Sequence, residues 1–121
     1  MTQTSHFFDQ PVTSGDLRGV MRHYLTGVTI VTLTGPEKEP YGLTVSSFNS
    51  VSLSPPLILW SLDNRNDRLL LFKNARGFAV NIMAADQLAL CQKFASADKD
   101  RFSNCEWQFG RYGQPIFDNA L

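Results

Sequence analysis

Small hydrogen-bonding side chains are concentrated in one short segment of the sequence, residues 44–52. Six of these nine residues carry a hydroxyl or a carboxamide, namely Thr44, Ser46, Ser47, Asn49, Ser50 and Ser52. The pattern predicts an extended segment that leads into the apolar run LILWSL. An unpaired hydroxyl or amide inside a core costs about 1–3 kcal/mol. The partners of these groups are therefore the first question that the sequence raises about function.

Two interpretations of this segment follow from the residues alone. In the first, it is a strand with one polar face in water, and its serines and threonine form turns near Pro55 and Pro56. In the second, the adjacent pairs Ser46–Ser47 and Asn49–Ser50 mark a place where the backbone leaves regular pairing and presents N–H groups beside hydroxyls. Such a concave surface suits a phosphate or a planar heterocycle with carbonyl oxygens and ring nitrogens.

The sequence offers no arrangement typical of nucleophilic or metal-dependent catalysis. It has no G-x-S-x-G, H-E-x-x-H, G-x-G-x-x-G or P-loop pattern. His23 lies one step off the apolar stripe of a predicted helix, and we interpret it as a surface or boundary residue. Cys91 falls on an apolar helical face and is interpreted as a core residue, and nothing near Cys105 marks an activated thiol. We therefore predict no catalytic side chain and no metal ligands.

Length and composition predict a single globular domain over residues 1–121. The chain is 43% hydrophobic and 18% charged, with eleven basic and eleven acidic side chains and a formal net charge of zero. Without a basic stripe or a polybasic cluster, we expect neither a nucleic-acid nor a membrane partner, and a small molecule or a protein instead. The first residues lack the basic and apolar regions of a signal peptide, so we expect a cytoplasmic protein.

Apolar periodicity predicts three helices, over residues 13–27, 66–77 and 85–98. The spacing of Thr13 and Asp16 is that of a capping box at the start of the first helix. The apolar stripe of this helix comprises Leu17, Val20, Met21, Tyr24 and Leu25. The inward face of the last helix is predicted to hold Leu88, Cys91, Phe94 and Ala95.

Extended segments outnumber the helices. Residues 28–34 are rich in β-branched side chains and end at the polar turn GPEKEP, which predicts a hairpin leading into the hydroxyl-rich segment. Residues 55–62 predict a buried strand, residues 78–84 another strand, and residues 99–121 a loop-rich end. Because the first strands are joined by short connections, a small β-barrel with peripheral helices is favoured over alternating βαβ units.

Several motifs occur in a recognisable order along the chain: LTGVTIVTLTG, YGLTVSSFNSVSLSPPLILWSL, FAVNIMAADQ, KFA, DRF, a single W and GQPIF. In this order, from about residue 17 to the end, the sequence resembles the flavin reductase-like domain family. These are short-chain NAD(P)H:flavin oxidoreductases that serve as reductase components of two-component flavin monooxygenases. The resemblance implies a mainly β protein with a split β-barrel fold. It also implies a homodimer that binds FMN or FAD and takes hydride from NADH or NADPH for a partner oxygenase.

The resemblance also implies which residues meet the flavin. Hydroxyls and backbone N–H groups of the hydroxyl-rich segment would form one wall, which comprises Thr44, Val45, Ser46, Ser47, Asn49 and Ser50. The end of the next strand would line the ring or the ribityl chain through Trp60, Ser61 and Leu62.

Other residues match the family near the flavin phosphate. Asn66, Asp67 or Arg68 stands where the family often has small polar residues that reach this group. Arg101 and Phe102 of DRF match a loop near the flavin tail, where Arg101 could pair with phosphate. Asn81 matches a position near the pocket, where it either faces the ligand or bonds neighbouring backbone.

Three kinds of function stay open on the sequence alone. The first is an active flavin reductase, which needs little acid–base chemistry from the protein because the cofactors carry the hydride transfer. The second is a non-catalytic flavin-binding or interaction module that has lost the nicotinamide site. The third is a structural domain, for which the hydroxyl-rich segment would be a solvated face.

The first prediction concerns the C-terminal end of the sequence. The family continues beyond the equivalent of Leu121 with further barrel strands and a Gly-Asp-His segment near the nicotinamide. We expect the 121-residue chain to bind flavin but to reduce it slowly, and a form extended by these strands to be a competent reductase, because hydride transfer needs both rings about 3–3.5 Å apart. Stopped-flow loss of oxidised-flavin absorbance would be compared for both forms. Equal rates would show that the additional strands are dispensable.

Overall fold

The computed structural model describes residues 10–21, 27–97 and 100–121. These residues form a mainly β structure with few helices, as expected from the sequence. The helices are α1 (Ser14–Met21), α2 (Leu69–Asn74) and α3 (Leu88–Ala95). The strands are β1 (Thr29–Thr34), β2 (Pro40–Val45), β3 (Asn49–Leu53), β4 (Pro56–Leu59), β5 (Ala79–Ile82), β6 (Trp107–Phe109) and β7 (Pro115–Phe117).

Strand β1 is the centre of the largest sheet, whose order is β2-β1-β5. Both neighbours run antiparallel to it, with Thr29 opposite Val45 on one side and opposite Ile82 on the other. From Thr29 to Leu33 its side chains are almost fully buried. Its run of β-branched residues suits a strand that packs on both faces. The hairpin predicted around GPEKEP is confirmed as the β1–β2 connection.

The other described strands form two separate two-stranded sheets, β3–β4 and β6–β7, so the barrel is not closed within the described ranges. The prediction of a buried strand over residues 55–62 is wrong. Strand β4 ends at Leu59, and Leu57, Ile58 and Leu59 are 46–56% exposed. Among the described strands β4 pairs with β3 alone. An apolar run shows that a surface favours burial, but not which other element covers it.

Helix α1 begins with the predicted capping box. The backbone N–H of Thr13 donates to Asp16 Oδ2 at 3.1 Å, and that of Asp16 donates to Thr13 Oγ1 at 3.1 Å. The Thr13 backbone N–H first, and the Thr13 hydroxyl second, lower the pKa of Asp16 by hydrogen bonding to its carboxylate. Leu17 and Val20 of the predicted apolar stripe are 57% and 68% exposed, so among the described residues these two side chains do not face a core. The predicted continuation with His23, Tyr24 and Leu25 lies outside the described residues.

Helix α3 supplies the centre of the core. Phe94 is fully buried and Cys91 nearly so, as predicted, whereas Leu88 and Ala95 are exposed instead of inward. Aromatic rings from the predicted loop-rich end meet Phe94 edge to face, Phe102 at 4.9 Å and Phe117 at 5.0 Å between ring centroids. The C-terminal segment therefore folds onto the sheet through aromatic side chains, and part of it forms the β6–β7 hairpin.

A buried carboxamide ties the C-terminal hairpin to the main sheet. The Asn81 side chain donates from Nδ2 to the Ile30 carbonyl at 3.0 Å and to Thr32 Oγ1 at 3.2 Å. Its Oδ1 accepts the backbone N–H of Phe117 at 3.1 Å. Thr32 in turn donates its hydroxyl to the Pro115 carbonyl at 2.6 Å. Asn81 is 4% exposed, so these bonds connect β1, β5 and β7 away from water.

Replacing this carboxamide should destabilise the fold. We expect Asn81→Ala to lower the free energy of unfolding by about 2–4 kcal/mol, because the Phe117 N–H and the Thr32 hydroxyl lose buried partners. Urea denaturation measures this change. The control Asn74→Ala removes an exposed carboxamide at the end of α2 and should change stability by less than about 0.5 kcal/mol. A loss below about 0.5 kcal/mol for Asn81→Ala would contradict the assignment.

Candidate functional site

The hydroxyl-rich segment leaves the sheet just after β2. Residues 46–48 belong to no strand, and β3 begins at Asn49. The backbone N–H of Ser61 donates to Ser47 Oγ at 2.9 Å, which holds the stretch after β4 beside this bend. We call residues 46–50 together with 60–62 the polar bend. The structure thus brings together two groups of predicted site residues that are separate in sequence.

Most side chains of the polar bend are exposed. Within it, Ser46, Ser47, Asn49, Ser50 and Ser61 are exposed, whereas Trp60 and Leu62 are half-buried. Asn49 Oδ1 accepts the backbone N–H of Ser50 at 2.9 Å. Trp60 packs edge to face against Phe72 at 5.4 Å and Phe78 at 5.5 Å between ring centroids. These contacts hold the 60–62 part of the bend in position. The bend is therefore an accessible surface of hydroxyls, a carboxamide and backbone on a packed aromatic support.

Two predicted site residues lie within β2 instead of the bend. Thr44 donates its hydroxyl to the Cys91 carbonyl of α3 at 2.6 Å. Val45 is 4% exposed, and its carbonyl accepts the Thr29 hydroxyl at 2.9 Å. Both residues thus have partners inside the chain, and their contact with a flavin stays a prediction.

Asn81 is not part of the polar bend. Its buried carboxamide bonds the backbone of β1 and β7, as described above. Of the two interpretations of this residue, these contacts favour the one in which it bonds neighbouring backbone.

A cleft of about 420 Å³ lies between the first half of β2, the start of α2 and the loop after α3. One of its lining residues, Phe72, packs against Trp60 of the polar bend. Five residues that the sequence analysis named meet at this cleft, namely Asn66, Asp67, Arg68, Arg101 and Phe102. The other lining residues are Pro40, Tyr41, Gly42, Leu43, Phe72, Ala97 and Asp100. Tyr41, Gly42 and Phe72 were not among the predicted site residues. The one sequence signal for them is the glycine within a strand, which often marks a close approach of the backbone.

Arg101 is fixed at the wall of the cleft by backbone carbonyls. Its Nη1 donates to the Gly42 carbonyl at 2.9 Å, and its Nη2 donates to that of Ser96. The next residue, Phe102, stacks on Phe117 with ring centroids 5.8 Å apart and so belongs to both the core and the cleft. A guanidinium held in this way keeps its orientation before any ligand arrives.

Arg68, another residue that lines the cleft, lies over an aromatic ring. Its guanidinium carbon is 4.4 Å from the centroid of Tyr41, a cation–π contact. Its Nε is 3.9 Å from Asp67 Oδ1, and its backbone N–H donates to Asn66 Oδ1 at 2.8 Å. With Arg68 and Arg101 on one hand and Asp67 and Asp100 on the other, the charged side chains that line the cleft sum to zero.

The cysteines do not form a reactive centre. Loss of solvation raises the pKa of the Cys91 thiol and also that of Cys105, for which the charge of Lys93 acts in the opposite direction. The Cys105 thiol contacts the Phe102 carbonyl at 3.1 Å. Among the residues that the structure describes, no three His, Cys, Asp or Glu side chains are grouped so that they could hold a metal ion. None of the helices described is long and apolar enough to cross a membrane.

Known proteins share both the sequence pattern and the fold. The chain is 39% identical over 108 residues to the FMN reductase (NADH) SmoA of Agrobacterium fabrum, covering 89% of this chain and 61% of that protein. It is 37% identical over 105 residues to the reductase component of the flavin-dependent trigonelline monooxygenase of Acinetobacter baylyi, covering 87% of this chain and 34% of the relative.

A solved structure agrees with these relatives. The NADH:FAD oxidoreductase SgcE6 of Streptomyces globisporus, in complex with NAD and FAD fragments, superposes with a TM-score of 0.78 at 34% identity. That match covers 93% of this chain and 69% of the other. The family model described as "Flavin reductase like domain" matches residues 21–121. The chain therefore belongs to the flavin reductase-like domain family.

Proposed function

We propose that this chain is a flavin reductase, which transfers hydride from NADH or NADPH to FMN or FAD and supplies reduced flavin to a partner monooxygenase. The observation that carries the proposal is the Ser47–Ser61 hydrogen bond, since it assembles the polar bend beside the cleft. The names of the relatives support it: one is an FMN reductase that uses NADH, and another is the reductase component of a monooxygenase. The finer fold that we propose is a split β-barrel.

The residues present fit a flavin. Exposed hydroxyls and a carboxamide in the polar bend offer donors and acceptors to the carbonyl oxygens and nitrogens of the ring. Their small size lets a flat ring approach the backbone. Arg101, held by the Gly42 and Ser96 carbonyls, would pair with phosphate at the cleft. Asn66 and Asp67 line the same cleft.

The protein's part in the reaction is binding and orientation. Bound flavin and nicotinamide supply the hydride chemistry. Within the described residues the exposed polar side chains of the polar bend are hydroxyls and one carboxamide, which can hydrogen-bond a ring and do not titrate near neutral pH. The aromatic packing of Trp60 on Phe72 and Phe78 keeps this surface in one position. We therefore propose a reductase whose own side chains position the ligands without acting as acid or base.

Removing the hydroxyls of the polar bend tests this function. We expect Ser46→Val/Ser47→Val to weaken FMN or FAD binding by about 10-fold or more while the fold survives, because each lost hydrogen bond contributes about 0.5–1.5 kcal/mol. Flavin fluorescence titration measures the affinity, and loss of NADH or NADPH absorbance measures the reduction. The matched control is Ser46→Thr/Ser47→Thr, which adds similar bulk but keeps both hydroxyls. Unchanged affinity in the valine variant would favour a solvated strand, and flavin binding without reduction would favour the binding module.

A homodimer is the second expectation of this proposal. The formal net charge is zero, and the segment CEWQFGRYG is aromatic-rich. On the β3–β4 hairpin, Val51, Leu53 and Leu59 are 58%, 93% and 56% exposed, more apolar surface than a single hairpin usually leaves in water. Sedimentation at micromolar concentration should show one species of twice the chain mass. The variant Leu53→Glu/Leu59→Glu should shift it toward the monomer, and a wild-type monomer would contradict the expectation.

A further inference from the structure

The three walls of the cleft differ in how they are attached to the rest of the chain. The wall from β2 and the wall from the loop after α3 are tied to the core, since Gly42 lies against Phe94 and accepts a hydrogen bond from Arg101. The third wall is formed by Asn66, Asp67, Arg68 and Phe72. These four residues belong to residues 63–74, which comprise the loop after the polar bend and helix α2. We call residues 63–74 the α2 segment.

The α2 segment has little support from the core. None of the side chains of helix α2 is fully buried, and Leu70 is 70% exposed. A helix of six residues is not stable in water by itself, because most helical stability in proteins comes from the packing of an apolar face. Arg68, which precedes the helix, provides no side-chain cap for it. The position of the segment therefore depends on the few contacts that its loop and its rings make.

Among the described residues, the turn and side-chain hydrogen bonds of the α2 segment join it to itself. The Asn66 N–H donates to the Asp63 carbonyl at 3.0 Å, and the Asp63 carboxylate accepts the backbone N–H and the guanidinium of Arg65. The Arg68 N–H donates to Asn66 Oδ1 at 2.8 Å, and the Leu69 N–H donates to the Asn66 carbonyl at 3.2 Å. These bonds keep the loop in one shape, but they do not attach it to the sheet.

Two aromatic contacts attach the α2 segment to its surroundings. The Arg68 guanidinium carbon lies 4.4 Å from the centroid of the Tyr41 ring in β2. The Phe72 ring packs edge to face on Trp60, which precedes the segment by three residues. Of the ion pairs, ring contacts and hydrogen bonds within the described ranges, the contact between Arg68 and Tyr41 is therefore the one that joins the segment to the main sheet.

The sheet side of this contact is fixed, whereas the segment side is not. Tyr41 is paired with Leu33 in the β1–β2 ladder. Its ring lies against the turn at Gly35, where a Cβ would lie 2.8 Å from Tyr41 Cε2. Arg68, by contrast, belongs to a loop whose hydrogen bonds are internal, and its side chain is 35% exposed. Separation of the pair is therefore a movement of the α2 segment away from the sheet.

Arg68 and Phe72 belong to one helical turn and move together. The Phe72 N–H donates to the Arg68 carbonyl at 3.2 Å. A displacement of Arg68 from Tyr41 therefore carries Phe72 with it, and Phe72 lines the cleft and packs on Trp60 of the polar bend. A cation–π contact at a partly exposed site is weak, and parts of a protein with few buried contacts open locally at small cost.

We infer that Arg68 is a positioning residue, whose contact with Tyr41 latches the α2 segment to the main sheet and holds the cleft in its closed form. When this contact opens, one wall of the cleft moves away and a ligand enters or leaves. The ligand is a flavin if the proposed function holds, and the inference rests on the proposed function in this respect alone. Such a latch lets the protein enclose a flavin and also release it as reduced product, which supply to a partner monooxygenase requires.

The first experiment tests the latch without a ligand, by hydrogen exchange and mass spectrometry on the whole chain. We expect Arg68→Ala to raise the exchange rate of the α2 amides by about 3-fold or more, the size expected when a cation–π contact at a partly exposed site is lost. Exchange in β1 should stay unchanged, because β1 belongs to the core. Tyr41→Leu should match Arg68→Ala, whereas Tyr41→Phe keeps the ring face and should match the wild type.

The matched control is Arg65→Ala. It removes an exposed arginine of the same loop, whose ion pair with Asp63 lies within the segment, so exchange in α2 should stay at the wild-type rate. Circular dichroism confirms that each variant is folded. A folded Arg68→Ala variant with wild-type exchange in α2 would overturn the inference.

The second experiment distinguishes a latch from a ligand contact, by stopped-flow fluorescence of FMN and FAD binding. We expect Arg68→Ala and Tyr41→Leu each to raise both the association and the dissociation rate constant by about 3-fold, because an unlatched wall opens more often. The double variant Arg68→Ala/Tyr41→Leu should equal either single variant, since all three remove the same contact.

Two residues that contacted the flavin independently would behave differently. They would raise the dissociation rate constant alone, and their effects would multiply in the double variant. That result would overturn the inference while flavin binding stands. Exchange in α2 that depends on Arg68, in a chain that binds neither FMN nor FAD, would instead support the latch and overturn the proposed reductase.

Discussion

The lack of a side chain at Gly42 is the constraint on which the core and the cleft both depend. A Cβ at this position would lie 2.9 Å from Phe94 Cε1 and 3.2 Å from Thr32 Cγ2, closer than such atoms normally approach. Glycine therefore lets the Phe94 ring lie directly on β2, and the rings of Phe102 and Phe117 pack on Phe94 in turn. This contact therefore helps to position helix α3, the loop after it and strand β7.

The same contact connects stability to the candidate site. The carbonyl of Gly42 accepts a hydrogen bond from Arg101, and the adjacent Phe102 is shared between the core cluster and the cleft wall. Because close-packed cores resist small displacements, the wall of the cleft has little freedom to move relative to the sheet. A site built on such a wall keeps its geometry without a ligand. The binding chemistry thus depends on core packing as much as on the polar residues themselves.

The sequence predicted the parts of this structure that depend on local patterns. The β1–β2 hairpin, the capping box at Thr13 and the buried face of α3 at Cys91 and Phe94 follow from turn residues, cap spacing and periodicity. The meeting of Asn66 and Arg101 at one cleft was implied by family resemblance. The Arg68–Tyr41 contact was not predicted, since no spacing rule links a residue in β2 to the start of α2. The exposure of β4 was not predicted either, because periodicity reports apolarity and not the presence of a covering element.

A surface that covers this part of the chain would affect both the exposed β3–β4 hairpin and the polar bend. The bend lies at the start of β3, and the same strand carries Val51 and Leu53, which are 58% and 93% exposed. The hydride transfer that we propose favours a site from which water is excluded, yet most side chains of the bend are exposed among the described residues. A surface that covers the hairpin would lie next to the bend and remove water from both. In the proposed homodimer, burial of apolar side chains would therefore stabilise the same arrangement that closes the site, so assembly and ligand binding would be linked.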